Sequence, residues 1–235
     1  ATQITSEGAR TKVLLGKLPR LQAADNRLEK FYDRSALHFM LNQWNVPEFL
    51  LHPYYSTGSV IGGCVCSYLW DFGSGWEIFP LVDPNATREH IKTFLRINLT
   101  RHFAFNPISG AGWGPWYYIN QEKIIYLIYY YVQLTGDHSF LEEKINGKST
   151  LEWVIYYALW GDRLEEKANL IDYGNGNHHL ELRREYCYDN YLPDVNARRY
   201  PLYFVAQKLC ELEGRSIEIN LADRAEKLKH ATTDE

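Results

Sequence analysis

Methionine occurs once in this chain and cysteine four times, and no apolar run reaches membrane-spanning length. A core with a single Met is not the pliable, thioether-rich kind that accommodates many peptides. Cys64, Cys66, Cys187 and Cys210 make no disulfide framework, because a bond between Cys64 and Cys66 would close a strained ring. They do not fit zinc either, since no second Cys or His pair stands at ligand spacing. Free, partly buried thiols are expected, with no metal and no cofactor. The longest apolar stretch, Ile124 to Val132, is interrupted by tyrosines, so no membrane partner is expected. A basic stripe is missing too. The formal net charge is -4, and Arg183-Arg184 and Arg198-Arg199 are isolated pairs, which argues against nucleic acid. No secretory leader is visible, and because the chain starts at Ala1 rather than Met, removal of an upstream segment is expected.

What is present is aromatic. The chain is 46% hydrophobic and 15% aromatic, with 18 Tyr and 7 Trp in 235 residues. That is enough to build one folded domain with its own core. Tyrosine also favours wet clefts that bind polyols. The triplets Asn85-Ala86-Thr87 and Asn98-Leu99-Thr100 match the glycosylation pattern, which arises often by chance.

Periodicity reads as mostly helical. An amphipathic helix is predicted over Asp25–Trp44 and a short buried one over Trp70–Leu81. Asp83-Pro84 starts a helix running to about His102. Asn120–Thr135 is apolar enough to be buried on most sides, with Gly136 as its stop. Further helices are expected over Phe140–Glu143, Ser149–Trp160, Asp194–Glu213 and Ile217–His230, with an exposed charged stretch over Gly161–Ile171. Polar and aromatic residues gather in the intervening loops, 52–77, 106–122 and 172–196, and long loops of this kind are usually functional.

Four segments carry chemistry: Trp70-Asp71-Phe72-Gly73; Gly112-Trp113-Gly114-Pro115-Trp116 with Asn120-Gln121-Glu122; the run from Asp172 to Glu181; and Asp189-Asn190 with Pro193-Asp194-Val195-Asn196-Ala197. Indole plates beside carboxylates suit sugar, whose ring faces stack while its hydroxyls are read by anions. Each residue also has a structural reading. Asp71 serves equally as a helix cap, Trp113 and Trp116 as core, Gln121 and Glu122 as first-turn caps, and Asp194 and Asn196 as caps of the next helix. His178-His179 read as hydrogen-bonding loop residues.

In this order the segments resemble the inverting glycoside hydrolases built on an (α/α)6 toroid, the six-hairpin class that includes trehalases and processing α-glucosidases. The resemblance spans roughly residues 30 to 215 and rests on order: an early Trp-Asp, a Gln before an apolar helix, a Thr135-Gly136-Asp137 turn, a Gly-rich acid loop, and Asp194-Val195-Asn196. It implies an all-α toroid, incomplete in 235 residues, forming residues 1–235 of a larger catalytic domain whose remaining polypeptide would be a partner. It implies a glycosidase cleaving an oligosaccharide with two carboxyl groups, one protonating the leaving oxygen and one activating water. Trp70, Asp71, Trp113, Trp116, Gln121, Glu122, His178 and Asn196 would bind substrate, and Asp172 or Glu181 would donate the proton. Flanking Leu180 and Leu182 favour a protonated Glu181, whereas Arg183 or Arg184 would make it an ion-pair partner. The acid loop departs from the family's Ser-Gly-x-Asp, reading Tyr173-Gly174-Asn175-Gly176-Asn177-His178. Two alternatives therefore stand: a non-catalytic carbohydrate-binding domain on the same scaffold, or a lyase or epimerase using His178, Tyr173 and Arg183.

Overall fold

The computed structural model describes residues 2–57, 65–167, 169–174 and 190–233. Its helices are α1 (Thr2–Leu15), α2 (Asn26–Met40), α3 (Leu69–Ser74), α4 (Phe79–Val82), α5 (Pro84–Arg96), α6 (Asn120–Thr135), α7 (Thr150–Ala158), α8 (Pro193–Ala197), α9 (Arg199–Leu212) and α10 (Leu221–Thr233). The chain is thus mostly helical, but the all-α expectation is corrected by small antiparallel sheets. Gln43–Trp44 pairs with Tyr54–Tyr55, and Lys144–Ile145 with Lys148–Ser149. Ser67–Tyr68, Ala104–Phe105 and Gly112–Trp113 form a three-stranded sheet. Glu165–Lys167 pairs with Leu170–Ile171.

Helix α6 is the centre. Its apolar residues recur on every side, so no single face can point to solvent, and α3, α5, α7 and α9 all pack on it. Ile124, Ile125, Leu127 and Ile128 are fully buried. Gly136 ends it with φ 69°, donating its N–H to Val132 O at 2.9 Å. This left-handed cap is a conformation glycine adopts without strain.

Helix α5 begins as its Asp-Pro start requires. The Asp83 carboxylate accepts from Ala86 N–H at 3.2 Å, and Tyr55 Oη donates to it at 3.0 Å. Arg10 of α1 pairs with the same carboxylate, tying the N-terminal helices to the core. The helix stops at Arg96, short of the predicted His102, because Ile97 turns extended and Asn98 closes an Asx turn on Thr100 N–H at 3.0 Å.

Two other predicted segments differ. The single helix over Asp194–Glu213 divides into α8 and α9, since Pro201 lacks an N–H and its ring would clash with the carbonyl four residues back. Asp194 and Asn196 lie inside α8, whose cap is Leu192. The stretch over Gly161–Ile171 is not simply exposed, as Gly161, Leu170 and Ile171 are buried. Asn196 accounts for this burial: its Oδ1 accepts from Ile171 N–H at 2.9 Å and its Nδ2 donates to Ile171 O at 3.1 Å, pinning that strand to α8.

One buried base sits in the aromatic core. His90 lies among Tyr54, Tyr55, Phe72, Phe79 and Phe105, stacked on Phe72 at 4.7 Å. Its Nδ1–H donates to Ala86 O at 2.7 Å, and its Nε2 accepts from Tyr55 N–H at 3.1 Å. Burial pulls its pKa down to about 4, although the Ala86 carbonyl partly offsets this. In the unfolded chain an imidazole titrates near ~6.5. The folded pKa is the lower one, so the contribution to stability is complete above pH ~6.5 and is lost as pH falls towards ~4, by roughly 3 kcal/mol in all. Urea unfolding at pH 7, 5.5 and 4 should show this loss, and His90→Gln should flatten it. An unchanged slope in the variant would assign the pH dependence elsewhere.

Candidate functional site

The N-terminal turn of α6 is where the polar residues collect. A narrow cleft opens there, with about 30 Å³ of space that a water-sized sphere can reach. The loop before α6, the end of α7, the strand end at Ile171–Tyr173 and the α8–α9 junction line it. Among the predicted residues, Trp116, Gln121 and Glu122 are on its wall.

The wall is indole and phenol. Trp116 meets Trp160 edge-on at 4.8 Å and Tyr118 edge-on at 4.7 Å. Gln121 holds this corner. Its amide nitrogen donates to Tyr118 O at 3.1 Å, and its oxygen accepts from Trp116 Nε1 at 3.2 Å. Tyr118 packs on Tyr173 at 4.2 Å and donates its hydroxyl to Tyr173 O at 2.5 Å. Burial, with the charge of nearby Asp172 added, pushes the Tyr118 phenol up to about 12. It therefore stays a hydrogen-bond donor at neutral pH. Asp172 itself accepts from Gly174 N–H at 2.8 Å.

Charge enters through Glu122 and Arg198. One guanidinium nitrogen of Arg198 donates to both carboxylate oxygens, at 3.1 and 2.9 Å. Beneath them Asp162 accepts from Tyr203 Oη at 2.5 Å and pairs with Arg199 at 3.1 Å and Arg224 at 2.7 Å. This buried network fixes the floor of the cleft, since a buried carboxylate must keep its partners.

Lys123, the next residue on α6, links the cleft to a second aromatic surface. Its ammonium lies 5.4 Å from the Trp70 ring centroid and 4.6 Å from that of Trp76. Burial pushes its pKa down; Glu122 raises it and Arg198 lowers it further. Trp70 and Asp71 belong to α3, whose close approach to α6 depends on Gly73. Asp71 is exposed by surface area, yet the bulk of protein around it raises its carboxyl pKa.

Trp113 is not on the cleft wall. It stands exposed on the outer strand of the three-stranded sheet, opposite Ala104. Next to it, Gly114 has φ 69° and faces the Phe103 ring so closely that no side chain would fit. Asn196 is buried, and its amide bonds to backbone at Ile171 and Leu192. Glu181 and His178 lie outside the described residues, as do Asp189, Arg183 and Arg184. Tyr173 N–H donates to Asn190 O, and Asn190 N–H to Gly174 O, both at 2.9 Å, so the described flanks of that stretch meet beside Tyr173. Sequence reading missed Trp160, Tyr118 and Arg198 as cleft residues.

Among the described residues no group of three His, Cys, Asp or Glu side chains is placed to hold a metal, and no helix is long and apolar enough to cross a membrane. Cys66 and Cys210 are free and buried, whereas Cys64 and Cys187 fall outside the described residues. No protein-family model matches the chain, and no curated protein matches it significantly.

A side chain at Gly73 would place its Cβ 2.5 Å from Lys123 Cβ and 3.2 Å from Lys123 Cα. Gly73→Ala should therefore push α3 off α6, destabilise the fold by about 1–3 kcal/mol and alter the emission of the Trp70–Trp76 surface. At Gly75 the nearest atom is 3.4 Å away, so Gly75→Ala should leave both readouts nearly unchanged. Chemical denaturation followed by tryptophan fluorescence tests the pair, and equal behaviour of the two variants contradicts the packing argument.

Proposed function

We propose that the cleft at the head of α6 binds an oligosaccharide and that the chain is a glycoside hydrolase domain of the α/α-toroid type, part of a larger catalytic domain. The observation that supports this reading is the indole–phenol corner of Trp116, Trp160 and Tyr118 next to the Glu122–Arg198 pair. Aromatic faces bury the apolar face of a sugar ring, while a carboxylate and a guanidinium at its edge exchange hydrogen bonds with hydroxyls. Cleavage needs two carboxyl groups on opposite sides of the bond. Either Asp172, between the lining residues Ile171 and Tyr173, or Glu181 is the proposed proton donor, and Asp71 with Trp70 would extend the sugar-binding surface past Lys123.

Carbohydrate binding without cleavage is the second reading, favoured by the amides that replace the acid-loop aspartate. The lyase reading is less well supported. It needs a deprotonated base; burial holds the cleft tyrosines Tyr118 and Tyr157 protonated, and His178 and Arg183, which that reading uses with Tyr173, lie outside the described residues.

A glycan array run alongside a hydrolysis assay separates these readings. Trp116→Ala should weaken oligosaccharide binding about ten-fold, in line with roughly 1–2 kcal/mol for a lost stacking face. Glu181→Gln should abolish turnover and spare binding. Unchanged binding in Trp116→Ala removes the cleft from the account; retained turnover in Glu181→Gln removes that residue as the acid.

A further inference from the structure

Helix α7 presents aromatic residues to two different spaces. Tyr157 and Ala158 face the cleft. Trp153, Tyr156 and again Tyr157 face a groove with about 260 Å³ of space that a water-sized sphere can reach, between α7, the Lys144–Ser149 hairpin and the segment leaving α5. The hairpin turns through Asn146 and Gly147, both at positive φ, which brings Lys148 back over the rings.

The groove is built rather than incidental. Trp153 Nε1 donates to Ile145 O at 2.7 Å, and the indole stacks on Tyr157 at 5.5 Å. Asn146 Nδ2 donates to Arg96 O at 2.9 Å, closing one end. Lys148 Nζ stands 5.4 Å from the Trp153 centroid and 6.0 Å from that of Tyr156, and the Arg163 guanidinium 5.2 Å from Tyr156. Arg96 is on the groove wall. Among the described residues no carboxylate lies within ion-pair distance of Arg96, Lys148 or Arg163. The described groove lining is therefore aromatic and cationic and contains no carboxylate, while Asn98 and Asn146 supply amides at the rim.

We propose that this groove is a second ligand site, distinct from the α6 cleft, and that it takes a sugar bearing a negative charge, such as a phosphosugar or a uronate. The ring lies against Trp153 and Tyr156, the anionic group is taken by Lys148 and Arg96, and the amides read hydroxyls. Rings supply area and amphipathic contact, and the cations select the charged ligand over its neutral counterpart.

Titration with glucose 6-phosphate, glucose and inorganic phosphate at low salt, followed by tryptophan fluorescence and calorimetry, tests this. Glucose 6-phosphate should bind about ten-fold tighter than either of the others, since it combines both kinds of contact. Its affinity should fall with added salt, and should fall about ten-fold in Lys148→Gln. Lys148 is exposed, so this variant folds as the parent does. Trp116→Ala, on the cleft, should leave the affinity unchanged. Equal affinity for glucose and glucose 6-phosphate overturns the charge selection. Phosphate binding as tightly as the sugar phosphate overturns the sugar part. Loss in Trp116→Ala, or none in Lys148→Gln, places the ligand elsewhere.

Discussion

Burial of α6 on every side is the constraint on which the rest depends. A helix with apolar residues all round must be enclosed, and α3, α5, α7 and α9 do so. Enclosure leaves its polar first turn, Asn120 to Lys123, at one end of a rigid rod about 24 Å long. The Thr135-Gly136-Asp137 turn is at the other end, where Asp137 is held by Tyr131, Ser139 and Arg88. The two motifs that frame α6 in sequence therefore do different work: the distal one closes the helix, and the proximal one lines the cleft.

Because α6 is fixed, the side chains of its first turn are fixed by their neighbours instead of by loops. Asn120 Nδ2 donates to Leu99 O at 2.9 Å and His102 O at 3.0 Å, anchoring the preceding segment. Gln121 locks Trp116, Glu122 takes Arg198, and Lys123 lies under two indoles. A surface assembled this way is ordered before any ligand arrives, which under the binding proposal would lower the entropic cost of binding.

The parts of the fold legible in sequence were those set by local chemistry. The bounds of α6 follow from its hydrophobicity and Gly136, and the start of α5 from Asp83-Pro84. The break before α9 was legible in Pro201, and the Lys144–Ser149 hairpin in Asn146-Gly147, although helix periodicity around them obscures both signals. The cleft was only half legible. Trp116, Gln121 and Glu122 stand within one turn and loop, so their proximity is local. Arg198 lies 76 residues from Glu122, and Trp160 reaches Trp116 only through the packing of α7 on α6. No spacing rule encodes either contact. Asn196 carried a capping signal, and what decided its role was a strand 25 residues away that needed its backbone satisfied.

The cleft's polar groups also divide the labour that a hydrolase reading demands. Both oxygens of Glu122 accept from Arg198, which suits that carboxylate to orienting a sugar hydroxyl and not to delivering a proton. The Tyr118 phenol is held neutral and already donates to Tyr173 O, so it serves as part of the wall. Asp71, on α3, has its carboxyl pKa pushed up by burial, and under the proposal it reads sugar hydroxyls beside Trp70. Asp172 lies near the Tyr118 corner, where its charge adds to the raised pKa of that phenol. Under the hydrolase proposal a sugar chain crossing the head of α6 would lie against Glu122 and Arg198. Inverting cleavage asks for one carboxyl group on each side of the scissile bond, and Asp172 or Glu181 is the proposed acid. The Glu122–Arg198 pair would then act on the substrate's position, holding hydroxyls in place while proton transfer occurs at the proposed acid.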